Sequence, residues 1–294
     1  VQWKKVTLAG VGLLGGSLGL ALRQRRLAAH VTGLVRRKES IKECFEKGVV
    51  DHATIYVREA VSGSDLIVLC TPPSRMEPML NDMLPYLSRG AIVTDVGSVK
   101  KSLVSRLEKI AAKGGVRFVG SHPMAGGEKM GVAHARADLF ANAVCVVTPS
   151  ASSDAAAVQK IALLWKSVGS RVLKMSPAEH DKLVSRTSHL PHVLAAVLSQ
   201  AILAPATISK IGPLCANGFR DTTRVASGSP EMWRDIVMAN RQNLLGSLRD
   251  YDRELERFKK ILKTADAKAL LRFFESAKHR RDGWVAGCNS QSSE

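Results

Sequence analysis

Apolar positions change rhythm along this chain. Through the first half, short fully apolar runs alternate with amphipathic stretches. Residues 6–9, 31–35, 66–70, 91–95, 118–120 and 144–147 read as buried strands. Between them, 16–25, 40–47, 76–87 and 99–113 have helical spacing, with Ile41, Cys44 and Phe45 marking one face. Strands alternating with helices predict an α/β domain of Rossmann type, built on a doubly wound parallel sheet. Ligands of such sheets sit beyond the carboxyl ends of the strands. The loops after Ala9, Val35, Cys70, Asp95 and Gly120 are therefore where chemistry is expected.

The pattern shifts near Pro149. Residues 150–153 form a polar linker, and Asp154 is placed to cap a helix. Beyond it, 155–168, 177–203, 230–264 and 267–281 read as helices. Leu183, Val184, Leu190, Val193, Leu194, Val197 and Leu198 form an apolar stripe, and Pro191 is expected to kink its helix. The boundaries predicted are 1–149 for a dinucleotide-binding domain, 150–282 for an all-α substrate and dimerisation domain, and 283–294 for a frayed tail. The active site is expected in the cleft between the domains.

Charge narrows the function. The 294 residues carry a formal charge of +17, a field that attracts nucleic acid, an anionic membrane, or a small anionic substrate with a phosphate-bearing cofactor. The bases are scattered, with small clusters at 23–26, 36–38 and 279–281 and no basic-aromatic repeat. That spread argues against nucleic acid. Lys4-Lys5 and the apolar residues up to Leu22 imitate a secretory signal, but five glycines interrupt the run. No later run is long enough to span a bilayer. Five cysteines without a CxxC spacing argue against a disulfide framework or a metal site and fit a reducing, cytoplasmic compartment.

The first strand runs into Gly10-Val-Gly12-Leu13-Leu14-Gly15. Gly10 permits a tight turn, Gly12 lets backbone approach a pyrophosphate, and Gly15 allows close helix–strand packing. The helix that follows offers free N–H groups to the anion. Leu13, Leu14 and the Thr71-Pro72 breaker after the third apolar run complete the expected cofactor cradle. An NAD site usually places an acid about 20 residues on, to bind the ribose hydroxyls. Here Val35 is followed by Arg36-Arg37, and no acid occurs until Glu39. Arginine there would pair with a 2′-phosphate, so NADP is favoured, with NAD as the alternative.

Two further loops carry chemistry, Asp95-Val-Gly-Ser98-Val-Lys100 and Gly120-Ser-His122-Pro-Met-Ala-Gly-Gly-Glu128. Ser98 is equally readable as an N-cap for a helix from Val99. His122, in a glycine-rich loop, suits removal of a hydroxyl proton during hydride transfer. The second half adds His180-Asp181, Ser188-His189-Leu-Pro-His192 and Gly218-Phe-Arg220-Asp221-Thr-Thr-Arg224. Of His189 and His192, one is readable as a hydrogen-bonded core histidine. Arg220 and Arg224 are suited to gripping a carboxylate.

Taken together, GVGLLGGSL, LCTPP, TDVGSVK, GSHPMAGGEKMG, SHLPH and GFRDTTR resemble the prephenate and arogenate dehydrogenases of tyrosine biosynthesis, over about residues 5–251. The resemblance implies oxidative decarboxylation of prephenate to 4-hydroxyphenylpyruvate. It implies His122 as the acceptor of the ring hydroxyl's proton and Ser98 as the residue that orients it. It also implies Arg224 on a substrate carboxylate, His189 against the substrate, and Glu128 and Asp221 near the pocket mouth. A homodimer is expected as well. The family's Gly-Thr-Glu appears here as Gly126-Gly127-Glu128, so one hydroxyl is missing.

Three other readings compete. Arogenate, with an ammonium in place of the keto oxygen, is the alternative substrate. Another two-domain enzyme, such as a β-hydroxyacid dehydrogenase or imine reductase, would share the fold without the His122 and Arg224 pair. A non-enzymatic nucleotide- or nucleic-acid-binding protein would show salt-sensitive binding and no oxidation.

Overall fold

The computed structural model describes residues 2–127 and 129–290. They fall into two compact units, Val1–Arg241 and Gln242–Glu294.

The first unit is built on eight strands: β1 (Trp3–Ala9), β2 (Ala28–Leu34), β3 (His52–Thr54), β4 (Leu66–Leu69), β5 (Ile92–Asp95), β6 (Arg117–Pro123), β7 (Val144–Thr148) and β8 (Arg171–Lys174). Their order is β3-β2-β1-β4-β5-β6-β7-β8. All pairings are parallel except β6 with β7. The doubly wound sheet is as expected, with an antiparallel step at one side. The hydrophobic pattern missed β3 and β8 for a physical reason. β3 has three residues, and β8 is an edge strand whose Arg171, Leu173 and Lys174 are exposed.

Helices α1 (Leu13–Gln24), α2 (Glu39–Glu46), α3 (Val57–Val61), α4 (Pro73–Met83), α5 (Lys101–Lys113) and α6 (Ala155–Ser167) cover both faces. The strands alternate between two cores. Leu66 and Val68 join Leu18 and Trp165 in one, while Ile67 and Leu69 join Met76, Leu80 and Leu107 in the other. Burial on both faces is why 66–69 is apolar throughout. Asp154 caps α6 as expected, its carboxylate accepting from Ala157 N–H at 2.8 Å.

After β8 come α7 (Pro177–Val184), a π-helical turn Ser185–His189, α8 (Leu190–Ile202), α9 (Ile208–Ile211), α10 (Asn217–Thr223) and α11 (Pro230–Ala239). The expected single helix over 177–203 with a kink at Pro191 is thus three segments. The irregularity falls just before Pro191, which lacks the N–H that the Thr187 carbonyl would receive. The expected helix over 230–264 breaks at Asn240, which has φ −110° and a buried side chain.

The second unit holds most of α12 (Arg241–Lys263) and all of α13 (Ala267–Ser290). Phe258 packs on Phe273 at 5.2 Å and on Phe274 at 6.1 Å between ring centroids. Helix α13 continues past Gly283 to Ser290, where a frayed tail was expected. The Arg281 guanidinium lies 4.9 Å from the Trp284 ring there. Residues 291–294 lie outside the described residues. No described helix is long and apolar enough to cross a membrane.

Candidate active site

The glycine turn lies where β1 meets α1. Helix α1 begins at Leu13, three residues earlier than the pattern predicts, because Gly15 and Gly16 are inside it. Gly10 has φ +96°, a conformation that L side chains rarely adopt. A Cβ on Gly15 would stand 2.2 Å from the Gly10 carbonyl oxygen. A Cβ on Gly12, the N-cap, would meet nothing within 4 Å. Protein packing therefore requires glycine at 10 and 15, whereas at 12 it leaves an open cradle. The first-turn N–H groups of Leu13, Leu14 and Gly15 have no intrahelical acceptor. Across the turn, Thr71 Oγ1 is buried without a hydrogen-bond partner, and Pro72 stands at the N-cap position of α4 without a side-chain cap. An orphaned hydroxyl beside a helix N-terminus and an open glycine fits a dinucleotide's phosphates.

At the end of β2, Val35 is buried and its N–H donates to the Thr54 carbonyl at 3.0 Å. Arg36 and Arg37 follow, both exposed, before Glu39 opens α2.

Because β1, β4, β5 and β6 are parallel neighbours, the glycine turn, Thr71, Ser98 and His122 share one edge of the sheet. His122 lies on β6 itself, not in a loop, paired with Val146 of β7. The antiparallel partner extends the strand beyond Gly120, where the hydrophobic signal stops. Ser98 is half-buried in the loop between β5 and α5. It does not cap α5, which starts at Lys101. That role belongs to Asp181 of α7, whose carboxylate accepts from the Lys100 and Lys101 N–H groups at 2.8 and 2.9 Å. Asp95 organises the same loop, accepting from Gly97 N–H at 2.8 Å and Ser121 N–H at 3.1 Å. It also forms a fully buried ion pair with Lys100.

The imidazoles converge here. His122 Nδ1 lies 2.8 Å from His180 Nε2, and His180 Nδ1 lies 2.8 Å from Asp181 Oδ1. Asn240 Nδ2 donates to the Asp181 carbonyl at 2.8 Å and faces His189 Nδ1 at 3.1 Å. Both histidines of SHLPH are buried, His189 more completely, and the His189 Nε2 has no partner. His192 stacks on Trp233 at 3.4 Å between centroids. Both line a groove of about 830 Å³ with Gln200 and Arg234. Arg224 opens a short turn, Arg224–Ser227, that packs on α8; it and Asp221 of α10 are exposed. Glu128 lies outside the described residues.

Sequence reasoning saw His180-Asp181 but gave it no role, and it missed Asn240. Their signal is topological: only the fold brings α7 and the break after α11 to the end of β6.

Comparison with known proteins settles the family. A model described as the prephenate dehydrogenase nucleotide-binding domain matches residues 18–174, and one described as the prephenate dehydrogenase dimerization domain matches 176–276. The chain belongs to the prephenate dehydrogenase family. Like the rest of the family, it is an NAD(P)-dependent oxidoreductase. It is 34% identical to a Bacillus subtilis prephenate dehydrogenase, over 95% of this chain and 75% of that one. A Zymomonas mobilis cyclohexadienyl dehydrogenase is 32% identical over 95% of both. Among solved structures, Aquifex aeolicus prephenate dehydrogenase, in complex with hydroxyphenyl propionate and NAD+, superposes with a TM-score of 0.90 at 30% identity. The match covers 96% of this chain and 99% of that one. Synechocystis arogenate dehydrogenase gives 0.81 at 31% identity, covering 95% and 99%.

Burial sets the protonation of this family member's site. It holds His122 well below the ordinary imidazole value, with His180, Lys100 and His189 repelling a proton further. His189 is lowered to about 4, chiefly by burial, against an opposing pull from Asp181. Both are therefore neutral near pH 7. The same shifts predict acid sensitivity. Between the unfolded value of 6.5 and the folded value of about 4, the unfolded state binds the extra proton. Stability is thus fully present above pH 6.5 and falls as pH drops through that window. His189 alone contributes about 3 kcal/mol to this loss. Urea midpoints should drop between about pH 7.5 and about pH 5, and His189→Gln should flatten the drop. An unchanged slope in that variant would refute the assignment.

Proposed function

We propose that this chain is a prephenate dehydrogenase that oxidises and decarboxylates prephenate to 4-hydroxyphenylpyruvate, with NADP as the preferred acceptor. The observation that carries this reading is His122: a buried imidazole with Nδ1 already engaged, on the same sheet edge as the dinucleotide cradle. A bound nicotinamide would supply the acceptor for the hydride on the ring carbon bearing the hydroxyl. His122 Nε2 takes the hydroxyl proton as the hydride leaves. The ring carboxylate then departs as carbon dioxide, with its bonding pair making the ring aromatic, and the proton returns from His122 to the phenolate oxygen. Aromatisation drives the step, so the protein contributes mainly orientation and a base. Ser98 orients the hydroxyl, Arg224 binds a carboxylate, and His189 presents its unpaired Nε2 to the ligand. Asp221 lies at the mouth in this scheme. The +17 charge suits a dicarboxylate substrate and a phosphorylated cofactor better than a nucleic acid.

Arg36 and Arg37, exposed at the end of β2 with no acid before Glu39, support NADP. The matched dimerization domain supports a homodimer, and the cysteine usage supports a cytoplasmic location. Steady-state assays pairing prephenate or arogenate with NADP or NAD test the whole reading. Prephenate with NADP should be most efficient. Replacing both Arg36 and Arg37 with alanine should cost about tenfold or more in NADP efficiency, with NAD efficiency unchanged. Higher efficiency with NAD than with NADP in the wild type would sink the cofactor assignment. Higher efficiency with arogenate would sink the substrate.

A further inference from the structure

Hydrogen-bond direction can be followed through the buried network without reference to any ligand. The Asp181 carboxylate takes a backbone N–H on each oxygen, from Lys100 and Lys101. It is an acceptor, so His180 must present Nδ1–H to it. That leaves His180 Nε2 as a lone pair. His122 must then place its proton on Nδ1, 2.8 Å away, and its Nε2 is a lone pair. A second path starts at the Asp181 carbonyl, which can only accept. It fixes the Asn240 amide with Nδ2 inward. The other Nδ2 hydrogen faces His189 Nδ1, which accepts, so the His189 proton sits on Nε2. That atom is buried without a partner.

We propose that Asp181 anchors two positioning residues, His180 and Asn240, which lock His122 and His189 in opposite tautomers, so that the site offers its ligand one lone pair and one N–H. The carboxylate sets the base, and the same residue's backbone carbonyl sets the donor. The lone pair suits a hydroxyl proton; the N–H suits a carbonyl or carboxylate oxygen. Asp181 also caps α5 and so ties this setting to the loop that carries Ser98. The proposal rests on the assignment of His122 as base.

The test separates orientation from bulk. In His180→Gln, the amide oxygen and nitrogen are spaced like the two ring nitrogens. The oxygen can accept from His122 Nδ1–H while the nitrogen donates to Asp181. This variant should keep kcat within about tenfold of wild type. His180→Leu fills the space but carries no hydrogen bond, and should lose about a hundredfold in kcat with KM little changed. Asn240→Asp puts an acceptor opposite His189 Nδ1 and should raise KM for the dicarboxylate substrate rather than lower kcat. Nitrogen-15 NMR of labelled histidines in the wild-type protein reads the tautomers directly: His122 should carry its proton on Nδ1 and His189 on Nε2. A His122 proton on Nε2, or a His180→Leu enzyme with kcat within about threefold of wild type, overturns the proposal. The NMR result needs neither substrate nor a folded variant. If the tautomers are as stated and prephenate is not oxidised, the substrate assignment fails and the tautomer lock stands.

Discussion

Replacing His122 with asparagine is expected to lower kcat for prephenate about a thousandfold, with cofactor affinity and thermal midpoint close to wild type. General-base catalysis contributes about 10²- to 10⁴-fold, and a full loss of the basic nitrogen should fall in that range. Asparagine is smaller than histidine and can still donate to His180 Nε2, so the buried network keeps its partner and the cost to folding is small. The hydroxyl proton then has no acceptor beyond solvent, from which the site is largely closed: His122 itself is 7% exposed. The affinity of the glycine cradle for the dinucleotide should be untouched, because it is formed by β1, α1 and Thr71. Reduced-nicotinamide absorbance under saturating substrate reads kcat, and fluorescence titration reads cofactor binding. Turnover within tenfold of wild type would remove His122 from the chemistry.

In the proposed mechanism, burial makes His122 usable as the base at a cost. An imidazole at its ordinary value of about 6.5 would be largely neutral near pH 7, but a proton would compete for it in mildly acidic conditions. Burial and the neighbouring Lys100 ammonium press His122 lower. A lower value means a weaker base, and the chain from His180 to Asp181 offsets this when the proton arrives. The developing imidazolium donates to His180, which donates to a carboxylate held by two backbone N–H groups. The network thus favours the neutral base at rest and shares the charge in the transition state.

How much of this was legible in sequence depended on the range of the interaction. The glycine turn was readable because its demands are local: a positive φ at Gly10 and a backbone contact between Gly10 and Gly15, five residues apart. The buried strands were readable because double-sided burial leaves unbroken apolar runs. His122 was singled out by residue type and expected in a loop; it lies on a strand because the antiparallel pairing with β7 that extends that strand is non-local. Ser98 looked like a cap because serine usually caps; the actual cap, Asp181, comes from 80 positions downstream. Asn240 had no local signal, since a lone asparagine between two helical patterns resembles an ordinary helix residue. Its role appears only when α7 and the turn at His189 lie beside it.

The glycine turn itself separates folding from binding. Gly12→Ala should leave the apo protein's thermal midpoint within a few degrees of wild type and raise the cofactor dissociation constant about a hundredfold, roughly 3 kcal/mol. Gly12 has extended backbone with a negative φ of −97°, so alanine there does not require the left-handed region, and the new methyl group meets no protein atom within 4 Å. The methyl enters the space that the pyrophosphate would occupy, so the penalty appears only on binding. Gly15→Ala should do the opposite. Its methyl group would lie 2.2 Å from the Gly10 carbonyl oxygen and 3.3 Å from Cys70 Cβ, and backbone cannot give way cheaply there. A loss of about 3 kcal/mol or more in unfolding free energy is expected. Thermal denaturation of both variants, each with and without NADP, checks the contrast. Added cofactor should raise the wild-type midpoint substantially and the Gly12→Ala midpoint very little. If Gly12→Ala responds to NADP as the wild type does, the phosphates do not lie against residue 12, and the cradle must be sought elsewhere along the carboxyl edge of the sheet.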